Sequence, residues 1–64
     1  MRPHELIKNL RLNANYNQWY VAKHLNITQP EYSKIENGKR KKIGIELIKK
    51  IIELYKIDID VFFK

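Results

Sequence analysis

Few side chains in this sequence are equipped for covalent or metal chemistry. There is no cysteine among the 64 residues, so thiolate nucleophiles, thiolate metal sites and disulfides are excluded. His4 and His24 have neither metal-ligand spacing between them nor a carboxylate at a triad-like interval. Gly38 and Gly44, the only glycines, are too few for a loop that cradles phosphates. An enzyme is therefore not expected, and neither is a cofactor or a metal. What the chain has in quantity is cations and amides. Thirteen Lys and Arg against seven Asp and Glu give a net charge of +6, and Lys39, Arg40, Lys41 and Lys42 are consecutive. Such a run favours a polyanion, either nucleic acid or an anionic membrane surface, although it also suits a solvated turn.

Positioning these groups falls to one small domain spanning residues 1–64. A chain this short buries about 60 % of its unfolded surface, enough for one core but not for a second lobe or a deep enclosed pocket. One Trp, four Tyr, two Phe and a 44 % hydrophobic content predict a folding chain. The apolar runs are too short to span a membrane, and no apolar leader follows Met1. With the lack of cysteine, this fits a cytoplasmic protein.

Helical periodicity dominates. Leu6, Ile7, Leu10 and Ala14 share one face of a first helix over residues 3–13, with Pro3 in its first turn. A second helix over 18–25 buries Val21, Ala22 and Leu25, with Asn17 as its N-cap and Tyr16 and Val21 as a hydrophobic staple. Thr28 and Glu31 form a capping box for a third helix over 29–37, Ile27 and Tyr32 its staple, and Gly38 stops it. A fourth, over 45–55, presents Leu47, Ile48, Ile51, Ile52 and Tyr55 to the core. Asp58 caps a short fifth helix reaching Phe63, stapled by Ile57 and Phe62, although the alternation in 57–61 also fits a strand.

The second and third helices are joined by Asn26 and Ile27, a reversal that needs a left-handed residue, which Asn tolerates. Ala22 lets the two helices cross close to this turn, a helix-turn-helix pattern. On a wheel of 100° per residue, Gln29, Pro30, Ser33, Lys34 and Asn37 share one side of the third helix, opposite Tyr32 and Ile35. That free face can read base edges: the Gln29 amide suits adenine N6 and N7, the Lys34 ammonium suits guanine O6 and N7, and the Ser33 hydroxyl lies between. Gln18, in the first turn of the second helix, sits where free N–H groups and the helix dipole favour an anion.

In order and spacing, Gln18, Val21-Ala22, Leu25, Ile27, Tyr32-Ser33, Ile35-Glu36 and Asn37-Gly38-Lys39 resemble the Cro and phage-repressor (Xre-type) helix-turn-helix family. Arg11 matches the Arg that ends that family's first helix. The resemblance covers residues 5–63 and implies an all-α, five-helix lambda-repressor-like domain that binds double-stranded operator DNA, usually as a dimer, with its third helix in the major groove. It implies base contacts from Gln29, Pro30 and Lys34, backbone contacts from Gln18, Asn37 and Lys39, and an internal ion pair between Arg11 and Glu36. The bottom-up alternative for Arg11 is a phosphate contact.

The chain departs from the family at several positions. Asn15 and Asn26 stand where many members have Gly. Pro30 is unusual inside a recognition helix; it sits where an N–H has no intrahelical partner, but could instead shift the cap to Gln29. Trp19 and Tyr20 replace polar residues and are expected to be partly buried against the first helix, or else to form a patch for a partner or the DNA backbone. The reading that follows is a transcriptional regulator, expected to be a repressor binding a palindromic operator as a homodimer, with Gln29, Pro30, Ser33 and Lys34 reading bases and Gln18, Asn37 and Lys39 to Lys42 holding phosphates. Phe63 is the expected dimer residue, because adjacent Phe62 and Phe63 point about 100° apart and cannot both fill the core. The alternatives are a protein-interaction module of the same fold, such as an antitoxin or coactivator-like domain, and a nonspecific polyanion binder.

Overall fold

A computed structural model describes residues 2–40, 42–58 and 60. It contains α1 (Pro3–Asn13), α2 (Gln18–Leu25), α3 (Gln29–Glu36) and α4 (Ile45–Tyr55), with no strand among the described residues. None of these helices is long and apolar enough to cross a membrane. The expected fifth helix falls mostly on residues 59 and 61–64, outside the described residues, as do Phe62 and Phe63. At its expected start, the Asp60 N–H donates to Asp58 Oδ1 at 3.1 Å, the bond that an Asp58 cap makes.

Local side chains set the helix starts. The Tyr20 N–H donates to Asn17 Oδ1 at 2.8 Å, and the Glu31 N–H to Thr28 Oγ1 at 3.3 Å. Pro30 does not move the start of α3: Thr28 remains the N-cap in an extended conformation and Gln29 is the first helical residue. At the second helical position proline sacrifices only an N–H that had no intrahelical acceptor. The Pro3 end of α1 is closed by the Arg2 N–H donating to Glu5 Oε1 at 3.2 Å.

Helix ends follow from backbone handedness. Asn26 takes φ 60° and ψ 40°, and the Ile27 N–H donates back to the Ala22 carbonyl at 3.0 Å, closing α2 in the tight reversal. Lys50 Nζ reaches the Leu25 carbonyl at 3.4 Å, a cation at the negative end of the α2 dipole. Gly38, at φ +74°, is needed twice over: its backbone is left-handed, and a Cβ there would lie 3.1 Å from His4 Nε2. His4 is thus a packing residue over the end of α3.

Ile7, Val21, Ala22, Leu25, Tyr32, Ile35 and Ile51 form the buried core. The α2 and α3 helices pack most closely on each other, α1 closes on α3, and α4 closes on α2. On α4 only Ile51 is fully buried; Leu47, Ile48, Ile52 and Tyr55 are half-buried. Periodicity marked the apolar face correctly, but a helix covering one side of so small a core seals completely only its central residue.

Candidate nucleic-acid interface

The third helix divides as its sequence pattern requires. Tyr32, Ile35 and Glu36 are buried, Pro30, Lys34 and Asn37 are exposed, and Gln29 and Ser33 are half-buried at the margin. The exposed set lies along one side of α3, with Asn37 Nδ2 at 3.4 Å from Ser33 Oγ.

Beneath this face runs a chain of polar groups linking α1, α2 and both ends of α3. Arg11 grips Glu36 with two parallel bonds, Nε to Oε2 at 2.6 Å and Nη2 to Oε1 at 3.1 Å. Its Nη1 donates to the Tyr16 carbonyl at 3.0 Å, so the guanidinium also ties α1 to the loop before α2. Gln18 Nε2 donates to Glu36 Oε1 at 3.1 Å, and Gln29 Nε2 donates to Gln18 Oε1 at 2.6 Å. The chain has one polarity. An ionised carboxylate can only accept, so Gln18 must turn its NH2 toward Glu36 and its carbonyl oxygen toward Gln29. Gln29 must then spend one N–H on Gln18, keeping its carbonyl oxygen and second N–H for another partner.

Electrostatics support the charged state of this chain. Burial pushes the Glu36 carboxyl upward, but hydrogen bonds from Arg11 and Gln18, together with the nearby Tyr32 hydroxyl dipole, outweigh it and hold the pKa below its ordinary value. The Glu36 hydrogen bond in turn raises the Arg11 pKa. Burial raises the Tyr32 pKa and pushes Tyr55 up to about 12. Neither buried hydroxyl reaches a partner at good hydrogen-bonding geometry, so Tyr32 acts on Glu36 as a neighbouring dipole.

The cationic loop is built differently. Lys39, Arg40 and Lys42 are exposed, and Lys41 lies outside the described residues. Among the described side chains of this loop only Arg40 is pinned, its Nε donating to the Lys42 carbonyl at 3.0 Å.

Two results were not expected from the sequence. The bonds from Gln18 to both Glu36 and Gln29 join residues on different helices, and no local pattern marks them. Trp19 is not buried against α1: it is 70 % exposed. Its neighbour Tyr20 is instead held by rings, with its centroid 4.4 Å from Tyr16 and 4.6 Å from His24. Trp19 projects over an open groove of about 930 Å³ between α2 and the start of α3, lined also by Lys23, Ile27, Gln29 and Pro30.

A capped helix crossing a buried second helix through a tight left-handed turn, with a polar face left free beside a cationic loop, is the arrangement of a helix-turn-helix protein. The chain matches the helix-turn-helix family over residues 7–62 and belongs to it, in its Cro/Xre type. This is a family of DNA-binding domains and not of enzymes, which sets DNA binding as the class of function here. No curated protein and no solved structure matches the chain significantly.

Proposed function

We propose that this protein is a sequence-specific transcriptional regulator, a repressor that binds a palindromic operator as a homodimer in the cytoplasm. Gln29, Pro30, Ser33 and Lys34 read base edges from α3, and Gln18, Asn37, Lys39, Arg40, Lys41 and Lys42 hold the sugar–phosphate backbone. The observation that carries the reading is the chain from Arg11 through Glu36 and Gln18 to Gln29. It leaves Gln29 presenting an acceptor and a donor side by side at the margin of the helix face that carries exposed Pro30, Lys34 and Asn37. Adenine offers the complementary pair, N6–H and N7. A bound repressor acts by covering its site against other proteins.

Size supports the dimer. The described part of the domain is 27 Å in its longest extent. One copy therefore meets one half-site, whereas two copies about a twofold axis can set their α3 helices about 34 Å apart on one face of B-DNA. Phe63, outside the described residues, is the proposed interface residue. Phe63→Glu is expected to leave helical content unchanged, abolish dimers in sedimentation and reduce cooperative operator binding to weak single-site binding.

The direct test is selection of bound duplexes from a random pool at fixed salt. The expected product is an inverted repeat bound about 10³-fold or more above random DNA. Enrichment of asymmetric sites alone would remove the dimer, and binding without enrichment would leave a nonspecific polyanion binder. One observation, the exposure of Trp19, favours the alternative of a protein-interaction module of the same fold.

A further inference from the structure

The groove under Trp19 extends from the start of the reading face over residues of α2 to which the proposed base and phosphate contacts assign no role. Trp19 is 70 % exposed and, among the described residues, has neither a hydrogen bond nor a ring packed on it. The neighbouring rings of Tyr16, Tyr20, Tyr55 and His24 pack on one another instead. An isolated surface indole on a domain of 64 residues is a large apolar area left in water.

We propose that Trp19 packs against the deoxyribose face of the bound duplex, with Pro30 as the opposite apolar wall, and so contributes affinity that does not depend on sequence. The inference rests on the DNA-binding reading above. Three observations select DNA as the occupant. First, Gln29 and Pro30, which begin the reading face, also line this groove, so a duplex engaged by Gln29 must run along it. Second, Trp19 belongs to α2, and in a helix-turn-helix the helix preceding the reading helix crosses the backbone and does not enter the major groove. An indole there meets sugars, whose ring carbons are the apolar part of a strand, and not base edges. Third, Asn17 and Lys23 line the same groove and place N–H donors beside the indole, as the phosphates flanking each sugar require. Glu31 also lines the groove, two residues on from Gln29, so the phosphates are expected on the Asn17 and Lys23 side of the indole.

Trp19 is the only tryptophan, so its fluorescence reports on this groove alone. Intact protein is titrated with the selected duplex and, separately, with a random-sequence duplex, while a gel mobility assay measures binding independently. Indole emission is expected to change with the same midpoint as the mobility shift. Trp19→Ala should weaken both duplexes alike by about tenfold, the effect of covering on the order of 60 Å² of apolar surface. The salt dependence should be unchanged, since no charge is removed, and Trp19→Phe should retain most of the affinity. Normal mobility shifts with unchanged emission and an unaffected Trp19→Ala variant would overturn the proposal and leave the groove to a protein partner. A changed preference at one base pair would also overturn it, because Trp19 would then be touching a base. Failure of the wild type to shift any duplex would instead sink the DNA-binding reading on which it rests.

Discussion

The two ends of the candidate interface are built on opposite principles. At the start of α3, Gln29 is reached through a buried chain of Gln18, Glu36 and Arg11, each with a fixed partner and the last two nearly closed to solvent, at 2 % and 12 % side-chain exposure. Past the end of α3, Lys39, Arg40 and Lys42 are exposed, and among the described residues of this loop one side-chain bond, from Arg40, pins it. Attraction to phosphate needs charge within a Debye length and tolerates movement, whereas hydrogen bonding to a base edge tolerates little. The chain therefore spends its buried polar groups on the reading end and leaves its cations free. Mutations at the two ends should fail in different ways: the first by unfolding or altered base preference, the second by a uniform, salt-dependent loss.

Breaking the buried end at its root should have the largest effect. Arg11→Met leaves the Glu36 carboxylate buried with only Gln18 and the Tyr32 dipole beside it, and is expected to destabilise the fold by about 3 to 5 kcal/mol. Adding Glu36→Leu should recover much of that loss in urea or thermal unfolding. The pH dependence gives an internal check. In the wild type the depressed pKa of Glu36 stabilises the fold above its ordinary value of 4.5, and this contribution is lost as pH falls through the lower folded value. Without Arg11, Glu36 loses the strongest of the interactions that lower its pKa and so protonates at higher pH than in the wild type, and the stability gap between Arg11→Met and wild type should narrow as pH falls from the variant's value through the wild type's. If Arg11→Met leaves stability intact and weakens DNA binding in a salt-dependent way, Arg11 is a phosphate contact instead.

What was legible in the sequence divides along the same line between local and distant interactions. Asn17 and Thr28 could be assigned as caps because each bonds an N–H three residues away, and the left-handed turn at Asn26 follows from residue type and spacing. The ends of α2 and α3 were readable for the same reason. By contrast, the Gln29 to Gln18 bond depends on how two helices cross, and an amide gives no sign of its partner in one dimension. Trp19 shows the complementary limit. The wheel of α2 puts it off the core stripe of Val21, Ala22 and Leu25, but whether α1 would cover it depended on where α1 ended up, against α3. Ile48 and Ile52 likewise have the spacing of core residues, yet half-burial is what the available neighbours provide.

A smaller effect, confined to specificity, should come from the exposed part of the reading face. Lys34 lies one turn beyond Pro30 and is free of the buried chain, so Lys34→Ala should leave stability nearly unchanged. It is expected to relax preference at one base pair in each half-site, with about 1 to 3 kcal/mol lost against the preferred base. Competition binding against duplexes varied at single positions measures this. Equal weakening on every sequence would move Lys34 to the cationic end of the comparison.

The smallest and most uniform effect belongs to Lys39. Its side chain is exposed, and its N–H is already used, donating to the Lys34 carbonyl at 3.0 Å where the chain leaves α3. Backbone geometry therefore holds the residue at the end of the reading helix while the side chain stands exposed. A phosphate contact of this kind releases condensed counterions when it forms, and that release appears as the slope of binding affinity against salt concentration on logarithmic axes. Lys39→Ala should reduce this slope by about 1 for each site neutralised and lower affinity by the same factor on selected and random duplexes. Because the backbone bond survives the substitution, the α3 terminus and base preference should be unaffected. A change in base preference would mean that the loop positions α3 as well as attracting DNA, erasing the distinction between the two ends. An unchanged slope would take Lys39 out of the interface and leave the attraction to Arg40, Lys41 and Lys42.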